Sequence, residues 1–493
     1  MIRPTGSHSR TLSEVAEFLG LKFESSIGST KITGICSNSR SIEPGDLFLA
    51  LPGESRHGID FLEEAISNGA AAVLTDEIGS AASKNRIATL SLVNQADISI
   101  PLCDWFFGNP LENLSLFGVT GTNGKTTTTF LLTQIFQAAG IRSGIIGTVA
   151  IEIAGEKFSA THTTPAADEL VNILAKMKES SVSHVAIEVS SHALAQHRVA
   201  GLHFVAAGFT NLSQDHLDYH KSMENYFAAK RSLFTESYTG RGYVNIDNEY
   251  GARLINEIQI PAEQLSLSAT GDWKLNLVQE MGAKKLIQIL GPSNLVIKGE
   301  TNLLGKYNLE NLLLAVAMAV GAGIEPKIVA ESLPRLTGAP GRLELVTTEP
   351  CLTYIDYAHT PDAVTRVLEA VRSVGPKRII GVLGCGGDRD RTKRAPMGSA
   401  LNNGCDVAIF TSDNPRSESP AAILEEMTNG LKLRADSEII LDRRIAIRRA
   451  MEIAQPSDLV IVLGKGHEIG QEVNGKKIPF NDREEILQAA GIA

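Results

Sequence analysis

The stretch from Leu114 to Gly140 constrains this chain more than any other. Leu114 to Val119 is a short apolar run of the kind that forms a buried strand. From Phe130 onward, Leu131, Leu132, Ile135, Phe136 and Ala139 recur with the spacing of one helix face, and Gly140 is a stop signal. Between strand and helix lies Thr120-Gly121-Thr122-Asn123-Gly124-Lys125-Thr126. Its glycines let backbone N–H groups turn around an anion, and the helix that follows adds its positive dipole end. Lys125 has the reach for outer phosphates, and the Thr126 or Thr127 hydroxyl can help hold Mg²⁺. The common pattern G-x-x-x-x-G-K-[ST] needs a glycine where Val119 stands, so Gly118 and Gly121 make this a shorter variant. The segment predicts a cradle for a nucleoside triphosphate.

A chain of 493 residues holds about three domains at ~150 residues each. A formal charge of −10 excludes a nucleic-acid binder with a basic face, so anionic ligands must be held by local Lys, Arg and N–H clusters. Cys36, Cys103, Cys351, Cys385 and Cys405 are odd in number and form no C-x-x-C pair. They predict free thiols in a reducing cytoplasm, not a disulfide or zinc framework. The N-terminus has no apolar signal core, and no run approaches the length of a membrane span. The expectation is a cytoplasmic monomer with no membrane partner.

Residues 1–105 read as a small α/β unit: a helix over Thr11 to Leu19, strands at Ile32 to Cys36, Leu47 to Leu51 and Ala71 to Thr75, and a helix over 59–69. Ser39, Arg40 and the Gly53 to Gly58 loop lie at strand ends; alone they are ordinary turn chemistry. Residues 106–337 alternate strands and helices and predict a mostly parallel sheet around the phosphate loop. Glu188 ends the strand His184 to Val189, His216 follows the strand Ala206 to Thr210, and Lys230 sits on a helix with Tyr226. Glu188 and His216 are candidate magnesium ligands, although His216 reads equally as a capping or packing histidine. Glu188 is harder to dismiss, because a carboxylate closing Val-Ala-Ile-Glu is costly to bury idle.

Residues 338–493 read as a second α/β unit with strands at Leu352 to Tyr357, Ile379 to Leu383, Val407 to Thr411 and Leu459 to Leu463. Ligands of an open parallel sheet bind beyond the carboxyl ends of its strands. Polar loops fall there each time: Asp356 to His359, Gly384 to Asp390, Ser412 to Arg416 and Gly464 to Glu468. Arg389 and Arg416 offer planar forks for carboxylates, and Glu468 offers a partner for an ammonium.

Gly-Thr-Asn-Gly-Lys-Thr-Thr, Glu-Val-Ser-Ser-His, Asp-His-Leu-Asp-Tyr-His, Gly-Lys-Tyr-Asn-Leu-Glu-Asn, Asp-Tyr-Ala-His-Thr-Pro-Asp and Gly-Lys-Gly-His-Glu, in this order, resemble the Mur ligase family over nearly the whole chain. The resemblance implies an α/β fold of three domains: an N-terminal UDP-binding one (1–105), a central P-loop ATPase (106–337) and a C-terminal, Rossmann-like, amino-acid-binding one (338–493). It implies addition of a diamino acid to UDP-MurNAc-L-Ala-D-Glu, with ATP and Mg²⁺, through an acyl phosphate. By the same resemblance Thr122, Asn123, Gly124, Lys125, Thr126, Thr127 and Thr128 hold ATP phosphates, and Asn308, Asn311, Arg342 and Asp356 are nucleotide positions. Thr126, Glu188, His216 and Lys230 stand around magnesium, Lys230 as a carbamate (N6-carboxylysine). Ser37, Ser39 and residues 54–56 match uridine positions, while Thr163, Thr164, Ser190, Gln196 and Arg198 match those gripping the muramoyl dipeptide. Asp413, Asn414, Pro415 and Arg416 resemble the meso-diaminopimelate type, with Arg389, Gly464 and Glu468 completing that pocket.

A second carboxylate on diaminopimelate suits Arg389 and Arg416, whereas an unpaired arginine would repel the ammonium of L-lysine. Lysine addition stays open as the alternative. A folylpolyglutamate-synthase-like ligase would lack the N-terminal unit, and a P-loop switch would lack the C-terminal loops. A non-catalytic homologue would be expected to lose Lys125, Glu188 or Lys230, and all three are present.

Overall fold

The structure is a computed structural model and describes residues 1–53, 56–92, 97–282 and 284–492. Glu54 and Ser55, of the expected uridine loop, lie outside the described residues. The chain divides into two compact units, one of residues 1–272 with 316–324 and one of residues 273–315 with 325–493.

The first unit carries three sheets, the smallest an antiparallel pair, Arg10–Thr11 against Lys31–Ile32. A small parallel sheet runs Gly34–Cys36, Asp46–Ala50, Ala72–Thr75, Ala88–Ser91. Its helix Leu12–Phe18 begins where Thr11 and Glu14 form a reciprocal capping box. The larger sheet is ordered Glu156–Phe158, Ile151–Ile153, Ser143–Ile146, His184–Glu188, Ser115–Thr120, Ala206–Phe209, Gly242–Asn245, Ala262–Ser266. Ile151–Ile153 runs antiparallel to both its neighbours, and every other adjacent pair in this order is parallel. The strand before the phosphate loop therefore lies between those ending at Glu188 and Phe209. Val119 pairs with Glu188 and Thr120 with Phe209, which brings three loops to one sheet edge. The helix Lys125–Ala138 starts at the loop itself, and Gly140 follows it with φ +76°. A continuous apolar core links Leu12, Ile35 and Phe106 to Leu170 and Ile173 of the helix Ala167–Glu179.

The second unit contains a six-stranded sheet ordered Glu344–Thr347, Leu352–Asp356, Leu459–Leu463, Ile379–Leu383, Val407–Phe410, Glu438–Ile439. Only its first strand is antiparallel. Asp356, Leu463, Leu383 and Phe410 stand in register, so the four polar loops leave one edge as the sequence predicts. The same unit holds an antiparallel meander, Trp273–Met281, Lys284–Gly291 and Leu295–Thr301, inside a segment read as mostly parallel. Its strands present one buried and one solvated face, a pattern open to antiparallel strands but not to doubly covered parallel ones. Among the described residues, no helix is long and apolar enough to cross a membrane.

Candidate active site

Gly121 adopts φ +146°, and a Cβ there would overlap the Thr210 hydroxyl, so the loop passes against its neighbour only as glycine. The neighbour holds it from the side. Thr210 Oγ1 donates to Asn123 O at 2.6 Å, Asn211 Oδ1 accepts from Asn123 N at 3.0 Å, and Thr122 N donates to Asn211 O at 2.9 Å. Thr122 Oγ1 lies 3.1 Å from the Tyr226 hydroxyl. Gly124, at φ +89°, caps the helix whose first turn carries Lys125, Thr126, Thr127 and Thr128. Lys125 Nζ folds back onto the carbonyls of Gly121 and Thr122, both at 2.9 Å.

Glu188 is the hub of this edge and is fully buried. Its Oε2 accepts from Thr126 Oγ1 at 2.9 Å and Thr148 Oγ1 at 3.1 Å, and its Oε1 accepts from Thr148 N at 2.8 Å. The backbone carbonyl of Glu188 accepts from Thr164 Oγ1 at 2.7 Å. Thr148 Oγ1 is 3.0 Å from Thr163 Oγ1, and Thr164 Oγ1 accepts from Ser190 N at 3.0 Å. Arg198 donates to Thr164 O at 3.0 Å and also bonds Gln196, whose amide reaches the Tyr219 hydroxyl at 3.4 Å. Of the expected dipeptide positions, Thr164 meets the Glu188 backbone carbonyl and Thr163 reaches the carboxylate only through Thr148, while Ser190, Gln196 and Arg198 are tied to Thr164 or to one another.

Lys230 is buried, and its Nζ donates to Gly121 O at 2.7 Å. Burial first, then the charge of Lys125, holds its amine well below the usual lysine range. His216 has φ +52°; its ring meets His192 edge-on at 4.9 Å and lies 6.0 Å from Tyr226. Burial pushes the His216 imidazole down, and the nearby lysines add to this against Asp215. Ser37 gives both its N–H and its hydroxyl to the buried Asp168 at 2.7 Å, and Ser39 donates to Glu64 at 2.6 Å. These two serines sit apart from the Glu188 network.

In the second unit, Asp356 closes its strand and accepts from Leu343 N at 2.6 Å and Ala358 N at 2.7 Å. Burial raises its carboxyl to about 6, against the pull of Arg342. Arg342 stacks 4.5 Å over the Tyr357 ring, with His467 5.4 Å on from that ring. Among the described residues Arg342 Nε and His467 Nδ1 are buried without hydrogen-bond partners, atoms that a bound ligand would satisfy. Asn308 donates to Leu304 O at 2.9 Å, and Asn311 to Asn308 Oδ1 at 3.4 Å.

Around Asn414, Lys465 Nζ donates to Asn414 Oδ1 and Glu468 Oε2, both at 2.9 Å, while Asn414 Nδ2 donates to Glu468 at 2.8 Å. Asp413 is buried 3.8 Å from the Lys465 amine. Gly464, at φ +107°, leaves no room for a Cβ beside Asp413. Pro415 O presses on Gly387, and Arg416 donates to Gly387 O at 2.6 Å. Arg389 is exposed on the same loop.

Three family models match in chain order: "Mur ligase family, catalytic domain" over residues 31–101, "Mur ligase middle domain" over 119–319, and "Mur ligase, glutamate ligase domain" over 341–466. The UDP-N-acetylmuramoyl-L-alanyl-D-glutamate--2,6-diaminopimelate ligase of Streptomyces coelicolor is 41% identical, over 99% of this chain and 97% of its own. This chain belongs to the Mur ligase family. The UDP-N-acetylmuramyl-tripeptide synthetase of Leifsonia xyli subsp. xyli is 39% identical, over 99% and 97%. A solved structure of a UDP-N-acetylmuramoyl-L-alanyl-D-glutamate--2,6-diaminopimelate ligase superposes with a TM-score of 0.70 at 31% identity, covering 98% of this chain and 99% of that one.

Within this Mur ligase the donor set at Glu188 suits Mg²⁺. A buried carboxylate with neutral donors around it stands beside a loop hydroxyl. Magnesium keeps water and phosphate oxygens and needs few protein groups. Thr148 escapes sequence reasoning and only strand order and register reveal it; Asn211 and Tyr226 lie in stretches the sequence picks out but acquire their roles at the loop only from the structure.

Proposed function

We propose that this chain is an ATP-dependent ligase that adds meso-diaminopimelate to UDP-MurNAc-L-Ala-D-Glu in peptidoglycan precursor synthesis, acting as a cytoplasmic monomer. The observation that carries the reading is the Glu188 carboxylate shared by the phosphate-loop hydroxyl of Thr126 and by Thr148, which bonds Thr163, with Thr164 on the Glu188 backbone carbonyl. One buried carboxylate there links a triphosphate cradle to an acceptor cluster, as phosphorylation of a substrate carboxylate requires. The similarity to diaminopimelate ligases along nearly the full chain supports the same reaction.

In this reading residues 1–105 bind UDP, with Ser37 and Ser39 contributing, residues 106–337 bind ATP, and residues 338–493 bind the amino acid. The Thr122 to Thr128 loop cradles the phosphates, and Lys125 turns from its loop carbonyls to the transferring phosphoryl group. Asn308, Asn311, Arg342 and Asp356 are further nucleotide positions in this reading. Thr126, Glu188, His216 and Lys230 would hold Mg²⁺, which when bound neutralises charge on the phosphates. Thr163, Thr164, Ser190, Gln196 and Arg198 fix the D-Glu carboxylate, whose oxygen accepts the phosphoryl group from ATP as ADP leaves. The free amine of diaminopimelate then displaces phosphate through a tetrahedral intermediate. Proximity of the bound reactants supplies much of the rate.

Arg416, Arg389, Asp413, Asn414, Pro415, Gly464 and Glu468 select the amino acid, the arginines by meeting its distal carboxylate. The test is phosphate release from ATP by the purified protein with UDP-MurNAc-L-Ala-D-Glu, Mg²⁺ and bicarbonate, comparing meso-diaminopimelate with L-lysine. Release with diaminopimelate alone is expected. Release with lysine alone would overturn the specificity, and silence with both would overturn the acceptor.

A further inference from the structure

Arg416 sits at φ +52°, in the left-handed region that non-glycine residues occupy only under constraint. The constraint comes from the hairpin Gln471–Val473 and Lys476–Ile478. Arg416 N donates to Glu472 O at 2.9 Å, and Asn474 N donates to Arg416 O at 2.7 Å. Glu472 N donates to Asn414 Oδ1 at 3.0 Å, and the Gln471 amide reaches Asp413 O and Ser412 Oγ. The loop that carries Arg416 is therefore moulded by backbone and amide groups of the hairpin.

The side chain of Glu472 has a separate part. Its Oε2 accepts from Arg416 Nε at 3.1 Å, while Arg416 Nη1 donates to Gly387 O at 2.6 Å. A guanidinium presents five N–H groups in one plane. With Nε held by Glu472 and one Nη1 bond to Gly387, Nη2 has no partner among the described residues. We propose that Glu472 is a positioning residue for amino-acid recognition: it fixes the Nε edge of Arg416 so that the terminal edge alone grips the distal carboxylate of the incoming diamino acid. The inference rests on the assignment of Arg416 to that carboxylate.

The physical gain is preorganisation. An untied arginine samples many rotamers and must lose that freedom when substrate binds. A guanidinium already locked in plane offers its fork at little further entropy cost. Glu472 itself is half-exposed, and its backbone bonds to Asn414 and Arg416 do not depend on its side chain. Truncation of the carboxylate thus leaves the loop's scaffold standing.

The experiment measures steady-state KM for meso-diaminopimelate, ATP and UDP-MurNAc-L-Ala-D-Glu in the full-length protein, with melting temperature as a fold control. Glu472→Ala should raise KM for meso-diaminopimelate about tenfold, the usual scale for losing a hydrogen bond to a charged group, and leave the other two constants unchanged. Glu472→Gln, whose amide oxygen still accepts from Nε, should recover most of the loss. Arg416→Ala separates the two layers of the argument. If it raises KM for diaminopimelate while Glu472→Ala does not, the role of Glu472 is overturned and that of Arg416 stands. If Arg416→Ala leaves that KM unchanged, the assignment of Arg416 falls and the proposal falls with it. A Glu472→Ala effect spread equally over all three substrates, or one that Gln fails to rescue, would also overturn positioning.

Discussion

Lys230 and Gly121 are joined by a 2.7 Å hydrogen bond from Nζ to the carbonyl, at a position where the lysine is 1% exposed. Lys125 Nζ donates to the same oxygen at 2.9 Å, so two amines share one acceptor. Burial and the neighbouring charge both favour a neutral Lys230, and a neutral amine is the form that adds CO₂. The chemistry that would turn this lysine into an anionic ligand is therefore prepared by its surroundings.

The first prediction follows from that pair. Protein equilibrated with carbon-13 bicarbonate should show a carbamate resonance that Lys230→Arg lacks, and that variant should lose ligation by ~10²-fold or more, as for other groups that stabilise transition-state charge. The signal should weaken as pH falls, because protonation removes the nucleophilic amine. Stability carries the same sign: with the folded pKa lowered from 10.5, the unfolded chain binds more protons below that value, and stability rises with pH toward it. A Lys230→Arg enzyme of ordinary turnover would refute the metal-site role.

Asp356 yields a pH prediction of the opposite sense. Its carboxyl is raised from 3.8 to about 6 by burial, so the folded chain holds a proton that the unfolded chain releases. The resulting stabilisation is full below 3.8 and is lost as pH rises through about 6. Asp356→Asn removes this dependence. Its melting temperature relative to the parent should therefore be more favourable at pH 7.5 than at pH 5. Parallel pH curves for the two proteins would rule the assignment out.

Much of this is legible in the amino-acid sequence. Lys125 follows a glycine loop between a strand and a helix, and Glu188 ends an apolar strand that could not bury it idle. The four loops of the last sheet follow from strands whose ends lie in register. Thr148 was not legible, because its meeting with Glu188 depends on the strand Ser143–Ile146 lying beside His184–Glu188, a matter of sheet order. The antiparallel meander escaped for a different reason: its alternating faces give a weaker signal than an unbroken apolar run. Ser37 matches a uridine position by resemblance, and the structure adds the buried partner Asp168 that no local pattern announces.

Thr148 supplies the third prediction. Its hydroxyl lies 3.1 Å from Glu188 Oε2 and 3.0 Å from Thr163 Oγ1, while its N–H donates to Glu188 Oε1. Thr148→Val keeps the shape and the N–H but removes the hydroxyl from a buried carboxylate. The Mg²⁺ concentration for half-maximal activity and the KM for UDP-MurNAc-L-Ala-D-Glu should both rise about tenfold. Thr148→Ser, which keeps the hydroxyl, should stay close to the parent. Equal behaviour of Val and Ser would show that the methyl group, not the hydroxyl, matters there.

The last prediction concerns the support beneath the amino-acid loops. Arg443 and Asp482 are both 0% exposed and form a two-pronged pair at 2.7 Å, linking the helices Arg443–Ile453 and Asp482–Ala489. Arg443 Nη2 also donates to Leu463 O at 2.9 Å, one residue before Gly464. Asp482→Ala strands a cation in the interior, a loss on the order of 3–5 kcal/mol. Melting of the affected unit should fall by ~10 °C at the usual conversion for domains of this size. Arg443→Met combined with Asp482→Leu removes both charges and fills the volume, so it should recover most of that loss while still lacking the tie to Leu463. If the double variant melts below Asp482→Ala, the cost lies in packing geometry and not in the unpaired charge. If Asp482→Ala melts like the parent, the pair does not hold this edge of the sheet.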